Sequence, residues 1–321
     1  MKLVTILLLC MVCTASFAKV EMQKVRLGWQ VPWAIQGQIV QIFKHTDILA
    51  KNHIEAEFIG KTFGPELNEL AVAGAVDVIL TADQPAAVLF SKDKGWVGFS
   101  RLMYNRTATY VPVKSTINSL ADLKGKTLGV PFGAAAERVT SEGLTEINLV
   151  PKTDVTYVNL AMPEHMALVK KTDKEALKFD QFDALSGFDP APAIMEAAGL
   201  VKTIHSGKVI AMALAQKEFL TKNKGFSKNF KNAIVEAYEY YNKNEAEVNK
   251  WFLEEAKMID IPEATWTLVK KYETNFLAKK KKDIKVNFSK EDFELMQKGA
   301  NFVEKATNKK IAMKDFVSNE Y

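Results

Sequence analysis

The residues best placed to do chemistry stand where short apolar runs give way to turns. The clearest case is Thr127–Val130, an apolar run bounded by Gly125 and Pro131 and followed by Phe132 and Gly133. Such a run reads as a buried strand, and Pro131 ends it because it has no amide to give to a ladder. Gly133 lets the backbone turn sharply and approach a ligand. Ala134, Ala135, Ala136 and Glu137 then open a helix. The first amides of a helix have no internal partner and its dipole makes the spot mildly positive, so this junction suits an anion or a polar ligand group. It equally suits an ordinary strand-to-helix turn.

Three further junctions share this grammar of apolar strand, Gly/Pro/Asp turn and helix: residues 57–66, 78–85 and 183–190. They place the carboxylates of Glu66, Asp83 and Asp189 beside that of Glu137, with Gln84 next in the chain. Each carboxylate has two readings. Asp83 and Asp189 are either solute partners or helix caps. Glu66 and Glu137 are either solute partners or first-turn complements to the helix dipole. If two or more face the solute, an amine or zwitterion fits better than a bare anion. Gln30 and Trp33 follow the first strand in a turn, and Trp33, Phe188, Trp29 and Tyr104 are candidates to cover a cation or a planar ring.

Covalent chemistry is poorly supported. Both cysteines, Cys10 and Cys13, fall in an N-terminal segment with Lys2 at its start, an apolar stretch Leu3–Val12 and the small-x-small run Ser16-Phe17-Ala18. This has the form of a secretory leader, residues 1–18, cleaved after Ala18. The remainder then lacks thiols, hence disulfides and zinc-thiolate sites. No histidine pair stands at metal-protease spacing, no nucleophile-elbow pattern occurs and no phosphate-loop motif occurs. His165, after a strand end, is the histidine nearest to the inferred cleft. No cofactor is expected.

The elements that must hold these residues alternate strand and helix to about residue 214, the pattern of parallel α/β sheets. Beyond Lys217 the pattern is helical, with Ser289 and Asp292 forming a capping box. In open α/β sheets ligands bind beyond the carboxyl ends of the strands. Two of the four junctions precede Val113 and two follow it, which predicts two sheets facing each other across a cleft. The chain would cross near Thr109–Val113 and return near Gly207–Leu214. The net charge of +5 is too mild to argue for nucleic acid, and the Lys279–Lys282 run reads as a solvated loop.

The same residues carry a family resemblance. Gly64-Pro65-Glu66-Leu67 with Gly74-Ala75-Val76-Asp77, Thr81-Ala82-Asp83-Gln84-Pro85, the stretch Val113–Gly133, and Phe182-Asp183-Ala184 through Phe188-Asp189-Pro190 resemble segments of one family. It comprises the periplasmic solute-binding proteins of ABC importers, in the branch for nitrate, sulfonates, taurine and thiamine-precursor pyrimidines. The resemblance implies an α/β, two-lobed periplasmic binding protein fold of type II, hinge-linked, with a helical C-terminal wrap. One lobe would be 19–110 plus 210–321, and the other 111–209. It implies a periplasmic monomer that captures a small organic solute of sulfonate or taurine type and passes it to a membrane permease and its ATPase. The alternatives are an amine or pyrimidine solute, or a pyrimidine-synthase-like enzyme on the same fold. Solute contacts would come from Gln30, Trp33, Glu66, Asp83 and Gln84 on one side. Gly133, Ala134, Ala135, Glu137, Phe188 and Asp189 would supply the other. Ala134–Ala136 depart from the family's sulfonate binders, which carry hydroxyl residues there, so only backbone amides remain for an anion.

Overall fold

A computed structural model describes residues 21–171, 175, 177–258 and 261–321. The expected leader, residues 1–18 with both cysteines, lies outside these residues, as does part of the stretch 163–179, whose sequence reads as a helix. Eight strands form one continuous sheet in the order β2-β1-β3-β8-β4-β7-β5-β6. Their ranges are β1 Gln23–Gln30, β2 Ile54–Lys61, β3 Val78–Ala82, β4 Trp96–Pro112, β5 Thr127–Val130, β6 Thr156–Asn159, β7 Ala184–Phe188 and β8 Val201–Gln216. The first helices are α1 Gln36–His45, α2 Ile48–Lys51, α3 Gly64–Val72, α4 Asp83–Lys92, α5 Ala135–Glu146, α6 Met162–Lys171 and α7 Ala191–Ala197. Beyond β8 come α8 Lys217–Lys222, α9 Phe226–Tyr241, α10 Glu245–Glu255, α11 Ala264–Lys270 and α12 Lys290–Thr307, which wrap back over the sheet.

The single sheet corrects the expectation of two separate ones. Each of the long strands β4 and β8 reads from sequence as two short strands, 96–102 with 108–113 and 201–204 with 209–214, because Asn105-Arg106-Thr107 interrupts one and His205-Ser206-Gly207-Lys208 the other. In the structure β4 and β8 pair antiparallel over almost their whole length, with register shifts at Gly98/Ser100, Arg101/Met103 and Thr109/Tyr110. The shifts let one strand keep pairing while it bends.

Register explains where a cleft must lie. Strands β1, β2 and β3 are mutually parallel, and β3 ends with Ala82 opposite Ala211 of β8, which is opposite Met103 of β4. Strands β5, β6 and β7 are parallel to one another and antiparallel to β4, and β7 ends with Phe188 opposite Thr107. The carboxyl ends of the two parallel groups therefore point at each other across the short span 103–107 of β4. The crossing lies at 103–107 and 207–211, earlier on β4 than the 109–113 expected.

Between Tyr104 and Arg106 the outer edge of β4 is held by one side-chain and one backbone bond, since among the described residues no third strand pairs there. The Tyr104 amide donates to the Glu273 carboxylate at 2.5 Å, and the Asp189 amide donates to the Arg106 carbonyl at 3.1 Å. These bonds satisfy edge groups that burial would otherwise strand. Helix α1 is shorter than the 34–51 stretch expected. It breaks at Thr46, whose hydroxyl donates to the Ile42 carbonyl, and restarts at Ile48.

Candidate functional site

Between the opposed strand ends lies a cavity of about 20 Å³. That is room for about one water molecule. Gln30 and Trp33 enter from the turn after β1, Phe63 and Gly64 from the turn into α3, Ala134 and Ala135 from the start of α5, and Phe188 from the end of β7. Trp33 and Phe188 meet edge-on with ring centroids 6.0 Å apart. Backbone strain marks the Trp33 turn: Ile35, a β-branched residue, sits at φ 73° and ψ −57°. Such a residue is held there only when its surroundings over-determine it. Here the Gln38 side chain accepts from the Ile35 amide at 2.6 Å, and the Gln36 side chain accepts from the Gln30 amide at 2.6 Å.

Unmet donors face this cavity. Gln30 Nε2 and Trp33 Nε1 are buried and have no partner in the protein. The N-cap of α5 is Ala134, which has no side chain to cap the helix. An unsatisfied buried donor is costly, so these two, on residues that line the cavity, suit a ligand that accepts.

The expected site residues fall into three groups. Gln30, Trp33, Ala134, Ala135 and Phe188 line the central cavity. Gln84, Gly133 and Glu137 line a different space, an outer groove of about 740 Å³ between α5 and α12. Gly133, at φ 78°, brings the α5 turn against Pro65, and a β-carbon there would lie 3.4 Å from the Pro65 ring. Glu66, Asp83 and Asp189 line neither.

Every one of the four carboxylates has a partner in the protein. Glu66 accepts from the Thr62 amide at 2.6 Å and closes the capping box of α3. Glu137 accepts from the Gly133 amide at 2.8 Å and pairs with Lys152 at 2.7 Å. Asp83, fully buried, accepts from Arg138 at 2.8 Å and from the Gln84 amide. Asp189 takes both Nε and a terminal nitrogen of Arg106 at 3.1 Å and also accepts from the Ala193 amide at the start of α7. Burial pushes the Asp83 and Asp189 carboxyls above the ordinary carboxylate range, against the pull of their arginines. No carboxylate is left over to meet a cationic solute at the cavity.

Arg106 and Arg138 are the residues that sequence reasoning missed. Their partners lie 83 and 55 positions away in the chain, and nothing in the local pattern announces them. Arg138 also reaches Glu142 one helical turn on, at 3.2 Å. Of the other candidates, Trp29 is core, with Lys44 over its ring at 5.7 Å. Tyr104 lies between Arg101 and Lys208 and donates to Asp292 at 2.6 Å. His165 is enclosed between the Tyr110 hydroxyl at 2.7 Å and the Leu160 carbonyl, and burial lowers it to about 4. Among the described residues no group of three His, Cys, Asp or Glu side chains is arranged to hold a metal ion.

Comparison with known proteins agrees with this architecture. The alkanesulfonate-binding protein SsuA from Xanthomonas axonopodis pv. citri, solved bound to MOPS, superposes with a TM-score of 0.72 at 16% identity, over 93% of this chain and 99% of that one. The periplasmic aliphatic sulphonate binding protein SsuA from Escherichia coli gives 0.72 at 16%, over 92% of each chain. The Candida albicans CA3427 gene product, described as having the generic periplasmic binding protein structural fold, gives 0.66 at 13%, over 92% and 96%. The fold is thus the two-lobed periplasmic binding protein fold expected. No curated protein matches the sequence. The sequence model of the NMT1/THI5-like family matches residues 66–248. That is more than half of the chain, which therefore belongs to the NMT1/THI5-like family.

Proposed function

We propose that this chain is the solute-capturing component of an ABC importer and that its solute is a small organic anion, a sulfonate foremost. The observation that carries this is the set of unmet donors at the central cavity, Trp33 Nε1 and Gln30 Nε2, beside the uncapped start of α5. A sulfonate accepts several hydrogen bonds at once and is favoured by the helix dipole. The partnered carboxylates weigh against an amine. The lining also offers no nucleophile with a base beside it, which favours capture over catalysis. Two of the structures it superposes on are described as sulfonate-binding proteins.

In this reading residues 19–102 with 212–321 form one lobe and 108–206 the other, joined by the spans 103–107 and 207–211. They close over the solute by bending β4 and β8, so that binding shifts a population of forms. Residues 1–18 export the chain to the periplasm, where it acts as a monomer and delivers to a permease and its ATPase.

Calorimetric titration of the chain from Lys19 tests this with methanesulfonate, taurine, nitrate, putrescine and an aminopyrimidine. The expected result is binding of a sulfonate, weakened about tenfold by Trp33→Phe, which removes one hydrogen bond to an anion and keeps the ring. Binding of the amine or the pyrimidine with none of a sulfonate overturns the reading.

A further inference from the structure

The central cavity holds about one water, which is too little for any organic solute on its own. Directly behind Phe188 lies a second space of about 220 Å³. Phe188 is a wall of both. So, in effect, is the turn after β1: Pro32 faces the outer space and its neighbour Trp33 the inner one. Phe188, which Trp33 meets edge-on, is the residue the two linings share.

The outer pocket has a distinct chemistry. Met162 and Met166 from one turn of α6, Met258 after α10, Pro32 and Pro190 make its walls. Among the described residues that line it, the ionic group is Lys257. Methionine side chains reshape around irregular apolar bodies, and their sulfur makes favourable contacts with aromatic rings. A cavity of about 150 Å³ with apolar walls takes up benzene, so about 220 Å³ is room for a ring with a small substituent.

We infer that the solute is amphiphilic: its anionic head lies at Trp33 and the start of α5, and a ring-sized apolar body passes Phe188 into the Met162–Met166–Met258 pocket. This inference rests on the solute-binding reading above and names the class of solute. A sulfonate with an aryl group fits, whereas taurine and nitrate leave the pocket empty.

Calorimetry with methanesulfonate, butanesulfonate and benzenesulfonate, on the wild-type chain and on Met166→Glu, tests it. Each added methylene is expected to tighten binding about fourfold, and a phenyl in place of methyl about 100-fold. Met166→Glu should remove most of the benzenesulfonate advantage and leave methanesulfonate within about twofold, since a carboxylate then stands on an apolar wall. Met258→Gln, nearly isosteric, should do the same more mildly and serves if the first variant does not fold. Equal affinities for methane- and benzenesulfonate in the wild type, or an advantage unchanged in both variants, overturn the inference and leave the head-group reading standing. If no sulfonate binds, the head-group reading fails and uncharged indole probes the pocket alone. Saturable indole binding lost in Met166→Glu supports the pocket assignment, and absence of indole binding overturns it.

Discussion

Among the described residues three arginine–carboxylate pairs are buried, and two of them, Arg101–Glu273 and Arg138–Asp83, join different things. Arg101 and Glu273 meet at 2.7 Å, with the guanidinium also donating to the Lys285 carbonyl. They tie strand β4 to the helical wrap on one side of the sheet. Arg138 and Asp83 meet at 2.8 Å, and they link the start of α4 to α5, across the line where the opposed strand ends face each other. The first pair is embedded in a network: Glu273 also accepts from the amides of Tyr104 and Asn275. The second has fewer partners: Asp83 accepts from one amide, that of Gln84, and Arg138 also reaches Glu142, while the Nε of both arginines lacks a partner. Burying charges costs about as much as pairing them returns unless every remaining lone pair and proton is met. The Glu273 site is thus the more fully met of the two, and we expect the Asp83–Arg138 contact, which would span the proposed lobes, to be the one given up to water when they part.

The strongest way to break this contrast is Glu273→Ala. It should cost about 3–5 kcal/mol in urea unfolding, because it leaves Arg101 buried without its counter-charge and two amides without an acceptor. Nearly as large is a pH effect confined to one side of the cleft. His165 titrates near 4 when folded, against an ordinary value near 6.5. Its contribution is complete above pH 6.5 and is lost as pH falls toward 4, because the unfolded chain takes up the proton first. The loss approaches about 3 kcal/mol. Urea midpoints at pH 7 and pH 4.5 should show it, and His165→Gln should flatten the difference. Smaller again is Arg138→Met. If opening rehydrates Asp83, the stability loss is held to about 1–2 kcal/mol, and the radius of gyration by small-angle scattering grows. A loss as large as that of Glu273→Ala, with no change in scattering, would erase the contrast. Least of all, Asp83→Asn with Arg138→Met should lie within about 1 kcal/mol of wild type, since the pair is removed together.

Much of the architecture was legible in the sequence because periodicity is a local signal. Strands β1, β2, β5 and β7 and helices α5, α9 and α12 announce themselves by alternation or helical spacing, and the Ser289–Asp292 capping box is present as read, with Asp292 accepting from Ser289. The long strands were not legible as single strands. The interrupting residues of β4, Asn105 and Arg106, are a buried amide and a buried charge whose partners, the Ala34 carbonyl and Asp189, are distant in sequence. The same reason governs the site. The turns that carry Gln30, Trp33, Ala134, Ala135 and Phe188 could be found from the strand-turn-helix grammar. That Glu66 and Glu137 would be spent on their own helix starts, and Asp83 and Asp189 on arginines, depends on pairings that sequence does not show.

One consequence of the strand register concerns scale. Between residues 104–106 and 208–210 the sheet is only two strands wide, because β3 stops pairing at Ala211 and β7 at Thr107. A two-strand ribbon is inextensible along its axis, where covalent bonds carry the load, yet yields readily to torsion. Four residues of extended chain set the opposed strand ends about 13 Å apart, so in the proposed closure the ribbon acts as a ruler that keeps that spacing while the lobes roll about it.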